Sequence, residues 1–190
     1  MTKEYFDDLN FTGKDFIEEP IPFGEYTDCQ FRNCRMSGTD LSHFIFTDCE
    51  FVECDLSNVK LKDCSFKNAT FKSCKMLGMH FEDCNEFLLQ VNFSSCDLSL
   101  SVFFNLPLKG TKFENCNLQD VDFTESNLTN AIFDNSNLQN AVFDNTILEL
   151  ADFRSAEHFH INPSNNILKK SKFSRHNIEG LVSHLNIILC

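Results

Sequence analysis

From Val91 to Arg154 every fifth residue is large and apolar, and two identities alternate: Phe93, Leu98, Phe103, Leu108, Phe113, Leu118, Phe123, Leu128, Phe133, Leu138, Phe143, Leu148 and Phe153. Two positions before most of them sits a small residue, as at Cys96, Ser101, Thr111, Cys116, Ser126, Ala131, Ser136, Ala141, Thr146 and Ala151. An amphipathic helix needs a period of about 3.6 and a plain strand a period of about 2, so neither fits. The two inward positions of each five lie on one face of a short extended segment. The other three must include a corner that aims the next segment back at the same axis. Asn recurs two places after the large residue (Asn105, Asn115, Asn130, Asn135, Asn140, Asn145), where tolerance of left-handed backbone helps the chain to turn. The pattern predicts a narrow coil around stacked Phe and Leu, its main chain bonded to the coils above and below.

Segments such as CNLQDVDFTESNLTNAIFDNSNLQNAVFDN resemble the pentapeptide-repeat family, whose loose consensus is A-(D/N)-L-x-x, and the resemblance covers nearly all 190 residues. It implies an all-β fold: a right-handed quadrilateral parallel β-helix, a solenoid with about five residues on each side. The repeat is specific for fold and says little about function.

Between Cys29 and Phe81 the register is firm, through Phe31, Met36, Leu41, Phe46, Phe51, Leu56, Leu61, Phe66, Phe71 and Met76. The next centre is Leu88 or Phe93, so two extra residues are expected as a bulge within 82–87. With about 20 residues per coil, as the resemblance implies, that bulge aligns Phe31, Phe51, Phe71, Phe93, Phe113, Phe133, Phe153 and Phe173 in one ladder. Residues 1–28 keep the spacing through Phe6, Phe11, Phe16, Ile21 and Tyr26, but Lys14 and Glu19 replace small residues and Pro20 and Pro22 interrupt. They are expected to form an irregular N-terminal coil that caps the core. The β-helix is expected over 29–173, with a degenerate last coil in which His158 and Pro163 stand at expected centres. At about 4.8 Å per coil the rod would be on the order of 35 Å long.

In 174–190, Ile178, Leu181, Val182 and Leu185 follow i, i+3, i+4, i+7 behind Asn177 as N-cap, which predicts a short C-terminal helix followed by an extended Ile187 and Leu189. Those six apolar residues exceed what a cap of one turn needs, so a two-fold contact is expected to join two rods in a homodimer. The stretch from INPSNNILKKSKF onward also resembles the subfamily of Qnr-type quinolone-resistance proteins and the microcin B immunity protein, in which dimers join at this end.

Composition adds a core built on 22 Phe and no Trp. There is no apolar run of about 18 residues to span a membrane. The first ten residues are acidic and lack the basic start and apolar centre of a signal peptide, so a cytoplasmic location is expected. Nine of the ten cysteines (Cys29, Cys34, Cys49, Cys54, Cys64, Cys74, Cys84, Cys96, Cys116) stand two places before a centre, and no C-x-x-C occurs. They read as buried, reduced thiols rather than a disulfide scaffold or a metal site.

Charge changes the functional picture most. The formal net charge is −12, divided as −9 over 1–58, +4 over 59–75, −10 over 76–153 and +3 over 154–190; residues 113–153 hold eight acids and no Lys or Arg. On a thin rod nearly all of these must be at the surface, giving a body that repels nucleic acid directly and attracts basic grooves. Acidity also serves plain solubility. A stiff acidic rod nevertheless resembles duplex DNA with its regular phosphates, and the subfamily resemblance implies a DNA mimic that engages DNA gyrase or another type II topoisomerase. The expected contacts are Asp97, Glu114, Asp120, Asp122, Glu125, Asp134, Asp144, Glu149 and Asp152. Qnr-type proteins carry projecting loops, for which this chain has little room, so it is nearer the loop-poor members and gyrase inhibition is the expectation. Lys60, Lys62, Lys67, Lys72 and Lys75 interrupt the acidic field.

The alternative is a protein-interaction scaffold with an unrelated partner and a weaker response to salt. Catalysis has little support. Asp120 and Asp122 could serve as the paired carboxylates of a β-helix hydrolase, but no basic partner is near them. His158 and His160 form an H-x-H without an apparent third metal ligand. Ser126 and Ser136 point inward. No cofactor, metal or membrane partner is expected.

Overall fold

What bends the chain is its corners. Left-handed backbone, φ between 50° and 71°, recurs every five residues over long stretches, as at Asp28, Asn33, Gly38, His43, Asp48, Glu53, Asn58, Asp63, Asn68, Ser73 and Gly78. All six of the periodic Asn residues are corners of this kind, from Asn105 at 55° to Asn145 at 52°. The computed structural model describes residues 3–185 and 187.

Between corners the segments are extended and pair in parallel with the next coil. The longer ones are β1 (Glu4–Asp7), β2 (Asn10–Thr12), β3 (Gly24–Thr27), β4 (Gln30–Arg32), β5 (Ile45–Thr47), β6 (Glu50–Val52), β7 (Ser65–Lys67), β8 (Ala69–Lys72), β9 (Val91–Ser94) and β10 (Phe113–Glu114). They form a four-stranded sheet β1-β3-β5-β7 and a six-stranded sheet β10-β9-β8-β6-β4-β2. Single parallel bridges such as Asp55↔Lys75 and Val102↔Asp122 build the other two sides. We number the faces by their inward residues: face 1 holds Tyr26, Phe46 and Phe66; face 2 Phe31, Phe51 and Phe71; face 3 Met36, Leu56 and Met76; face 4 Leu41, Leu61 and Phe81. The product is an all-β quadrilateral parallel β-helix.

The expected Phe ladder is present on face 2 and begins one coil earlier, at Phe11. Successive rings from Phe11 to Phe173 stack with centroids 4.6–5.3 Å apart. A second column, which the period alone did not reveal, runs up face 1 through Phe6, Tyr26, Phe46 and Phe66. It then crosses to face 4 at Phe81 and continues through Phe103, Phe123 and Phe143. Offset-parallel and edge-on pairs of this kind add to simple burial.

Two boundaries differ from the sequence reading. The segment expected to be an irregular cap pairs in register, β1 with β3 and β2 with β4, because Phe6 and Phe11 can stack on Tyr26 and Phe31. The two extra residues fall within 86–89. Asn85 N–H still bonds Cys64 O in the 20-residue register, whereas Ala69 already pairs with Val91. Leu88 therefore stands outside the core at 62% exposure, and Leu89 tucks in instead.

The nine cysteines are free and buried. Their position explains their chemistry: Cys54 and Cys74 donate their thiols to Phe31 O and Phe51 O one coil away, each at 3.4 Å. Ser136 and Thr146 do the same with hydroxyls, to Phe113 O and Phe123 O at 2.9 Å. Small residues with a weak donor suit this slot because the donor is satisfied while the body fills space. Burial pushes the Cys49 thiol up to about 12, so it is not a nucleophile at neutral pH.

Leu150 occupies a corner at φ 61°. A branched side chain is strained there, whereas Asn is at ease, and Leu150 is already 39% exposed, so little apolar burial is at stake. Leu150→Asn is expected to stabilise the protein by about 1 kcal/mol. A urea unfolding midpoint no higher than the parent's would show that this corner carries no strain.

Candidate partner-binding surface

The nine acids expected to contact a partner stand outward but do not share one side. Asp97 lies on face 3, Glu114, Asp134 and Asp152 on face 2, Asp122 and Asp144 on face 4, and Glu149 on face 1. Asp120 and Glu125 are the two corners of face 4, at φ 56° and 60°. Face 4 with its edges therefore gathers Asp120, Asp122, Glu125 and Asp144 over two adjacent coils. Among the described residues none of these four is ion-paired. Asp122 accepts Thr124 N–H at 2.8 Å, Asp120 accepts Asn140 Nδ2 at 3.0 Å, and Asp144 accepts Asn165 Nδ2 at 3.1 Å, so their charge is held in place and left uncompensated.

Face 2 is different. Asp152 pairs with Arg154 at 2.7 Å and Lys172 at 3.6 Å, and the Arg154 guanidinium holds its carboxyl below the usual carboxylate range. Glu149 on face 1 has Lys169 at 3.9 Å. Asp97 is engaged by Ser99 and Asn117. Asp152 and Glu149, with cations beside them, are less available to a partner than the four around face 4, whereas Asp97, like those four, is in no ion pair among the described residues.

Two further charge patterns follow from the coil. Down face 3 runs an alternating row, Asp15, Arg35, Asp55, Lys75 and Asp97, each bridged to the next. It became legible only when residues 20 apart were set beside each other. The five lysines form a collar one coil deep: Lys60 and Lys62 on face 4, Lys67 on face 1, Lys72 on face 2 and Lys75 on face 3. Lys72 reaches back to Glu50, and that ammonium is the main cause holding the Glu50 carboxyl low. The collar divides the acidic first third from the acidic middle.

At the C-terminal end Ile178–Leu181 and Ser183–Leu185 form two 3-10 turns, not the expected α-helix. Asn177 does not cap them. Its amide Nδ2 donates to Phe153 O at 2.9 Å and Ala156 O at 3.0 Å, closing carbonyls of the rod itself. Gly180 is pressed so tightly on Phe159 that an added Cβ would lie 2.3 Å from the Phe159 carbonyl oxygen and 2.5 Å from its ring. Leu181 packs on the core and Val182 is half-buried, while Ile178, Leu185 and Ile187 are about half exposed. Leu189 lies outside the described residues.

His158, expected at a centre, is a corner at φ 58°, and Phe159 fills the core in its place. His158, His160, His176, Glu157 and Glu179 line a shallow cavity of about 380 Å³ beside the last coil. His160 Nδ1 lies 3.1 Å from Ser183 Oγ. Among the described residues no three His, Cys, Asp or Glu side chains converge to hold a metal. Ser126 and Ser136 are fully buried. No helix among the described residues is long and apolar enough to cross a membrane.

The family model for the pentapeptide repeat region matches residues 25–86, 80–153 and 113–182. The chain belongs to the pentapeptide-repeat family. No curated protein matches. Among solved structures, a trypsin-treated variant of QnrB1, a plasmid-mediated fluoroquinolone resistance protein, superimposes with a TM-score of 0.59 at 16% identity, over 98% of this chain and 92% of that one. HetL, a pentapeptide-repeat protein involved in heterocyst differentiation regulation from the cyanobacterium Nostoc sp. strain PCC 7120, gives 0.41 at 13% identity, over 90% and 86%. At 16% identity the likeness to QnrB1 is one of fold. As a pentapeptide-repeat protein the chain offers a partner its outward rows, since the inward rows are spent on the core.

Proposed function

We propose that this protein binds DNA gyrase or a related type II topoisomerase by imitating duplex DNA, and acts by occupancy without catalysis. The observation that carries this reading is linear charge density. Residues 76–153 carry a net −10 over about four coils, or about 19 Å, which is about one charge per 2 Å against about one per 1.7 Å in duplex DNA. A basic groove shaped for DNA therefore meets a similar field. The uncompensated carboxylates of face 4 are the first contacts we assign, ahead of Glu149 and Asp152, which already have cations beside them. The fold likeness to QnrB1, a fluoroquinolone resistance protein, supports a quinolone-related role, and we also propose a cytoplasmic location.

The test is a gyrase supercoiling assay titrated with the protein at low and moderate salt, with and without a fluoroquinolone. Salt-sensitive inhibition, or rescue of supercoiling in the presence of drug, supports the reading and separates inhibitor from protector. No effect at a large excess of protein over enzyme moves the weight to a scaffold with another partner.

Two rods joined at their C-termini would double the length of the mimic. Ile178, Leu185 and Ile187 supply exposed apolar surface there, positioned by Gly180 on Phe159. Gly180→Ala is expected to push the 3-10 turns off the rod end and shift sedimentation from dimer to monomer. A parent that is already monomeric at high concentration would sink the dimer, while an unchanged dimer in the variant would sink only the role of Gly180.

A further inference from the structure

Four of the large exposed apolar side chains lie on two adjacent coils: Phe87 at 70% and Leu88 at 62% on one, Leu100 at 61% and Phe104 at 42% on the next. Leu100 and Phe104 belong to face 4 and its edge, with the half-buried Val102 between them, and Phe87 and Leu88 come from the insertion at 86–89 on the adjoining corner. Leu88 and Leu100 also hold φ of 61° and 63°. Each thus bears two costs at once, a left-handed backbone and an apolar side chain in water. Neither cost helps the coil, whose other corners are mostly Asn, Asp, Gly or Ser.

The surroundings specify what would cover this band. One coil above stands Asp83, next to a Glu82 that His80 already engages at 2.7 Å, and one coil below stand Asp120, Asp122 and Glu125, as the row His80–Val102–Asp122 fixes. From residue 76 to 108 there is no Lys or Arg. The two acidic levels are two coils apart, about 10 Å, which is the diameter of an α-helix with its side chains.

We propose that this level of face 4 is a docking surface for a cationic amphipathic helix of a partner protein. Its apolar stripe would lie along Leu100, Val102 and Phe104, and its lysines or arginines would reach the carboxylates on both sides. Duplex nucleic acid and anionic lipid are disfavoured because the band is bordered by negative charge on both sides. The inference goes beyond the topoisomerase reading, since it depends on the chemistry of the segment and on no particular enzyme.

The probe is a synthetic leucine–lysine amphipathic peptide of about four helical turns, compared with oligolysine of equal charge, each titrated into the full chain by fluorescence anisotropy at moderate salt. The leucine–lysine peptide is expected to bind about tenfold more tightly than oligolysine, with Leu100→Asn and Phe104→Ser each removing most of that margin and leaving oligolysine binding unchanged. Leu100→Asn relieves a strained corner, so its melting temperature should rise while its affinity falls, and unfolding cannot explain the loss. Equal affinity for the two peptides, or both variants binding like the parent, would overturn the proposal. So would sedimentation in which Phe104→Ser dissolves a dimer, since the band would then be covered by a second copy. Failure of the gyrase assay alone would overturn the earlier reading and leave this one standing.

Discussion

Phe113→Ala is expected to cost about 3–5 kcal/mol, the range for removing a fully buried Phe whose site cannot collapse. The ring has no solvent exposure. It is stacked between Phe93 at 5.3 Å and Phe133 at 5.1 Å, with Phe103 and Phe123 edge-on at 6.0 and 5.6 Å. Each of the four donates its backbone N–H to the next coil, Phe93 to Lys112 O, Phe103 to Asp122 O, Phe123 to Val142 O and Phe133 to Asp152 O, so none can move inward to fill the gap. In a solenoid each coil is stabilised only by its neighbours, and a weak interface in the middle uncouples the two halves. Phe173→Ala is the natural comparison, because Phe173 is half-buried and, among the described residues, stacks on Phe153 alone at 5.2 Å, with Phe159 tilted against it at 5.5 Å. That variant should fray the last coil and leave the rest intact. The check is urea unfolding followed by far-ultraviolet circular dichroism, with amide exchange to locate the loss. Equal midpoints for the two variants would mean that the ladder does not transmit stability along the rod.

That same ladder was legible in the sequence, since the five-residue period, the 20-residue coil that the family resemblance implies and a two-residue offset place Phe31 and Phe173 on one line. The Asn corners and the buried thiols followed from the same period. The crossing of the second aromatic column from Phe66 to Phe81 was hidden, because face 1 carries aromatic residues up to Phe66 and then Leu89 and Leu108, while face 4 carries Leu up to Leu61 and then Phe81 and Phe103, a switch that shows only when residues one coil apart are set side by side. The C-terminus misled for a different reason. The spacing of Ile178, Leu181, Val182 and Leu185 is helical, but the chain there is fastened to the rod through Asn177 and Gly180, and these contacts favour 3-10 turns over a free helix with its own cap.

The surface was the least legible part. Acidity could be counted, yet which carboxylates stand together depends on the 20-residue stride and on neighbours such as Arg154 and Lys172, which neutralise Asp152 from different coils. A composition-level reading weighs Asp152 and Asp122 alike. The structure separates them, because among the described residues no cation pairs with Asp122.

That separation yields the second large effect. Under the topoisomerase reading, the triple variant Asp122→Lys, Glu125→Lys and Asp144→Lys should weaken inhibition or protection of gyrase about 100-fold or more, since like charges brought into an interface cost several kcal/mol. The formal net charge moves only from −12 to −6, so the rod stays acidic and soluble. All three residues point outward. Glu125 is already a long side chain in left-handed backbone, and Lys170 shows that a lysine can occupy such a corner in this chain. The loss of the Asp122 bond to Thr124 N–H should cost a small part of the stability, which a thermal melt will register separately. Asp152→Asn is the matched control: its carboxylate is already paired, so the topoisomerase effect should change less than about fivefold. The slope of the effect against salt should fall in the triple variant and persist in the control. If the folded triple variant acted on gyrase as the parent does, face 4 would not be the surface that the enzyme reads. If Asp152→Asn were the damaging change, the contact would lie on face 2, through the Asp134–Asp152–Arg154 cluster, and recognition would rest on a local ion-pair network in place of an extended field.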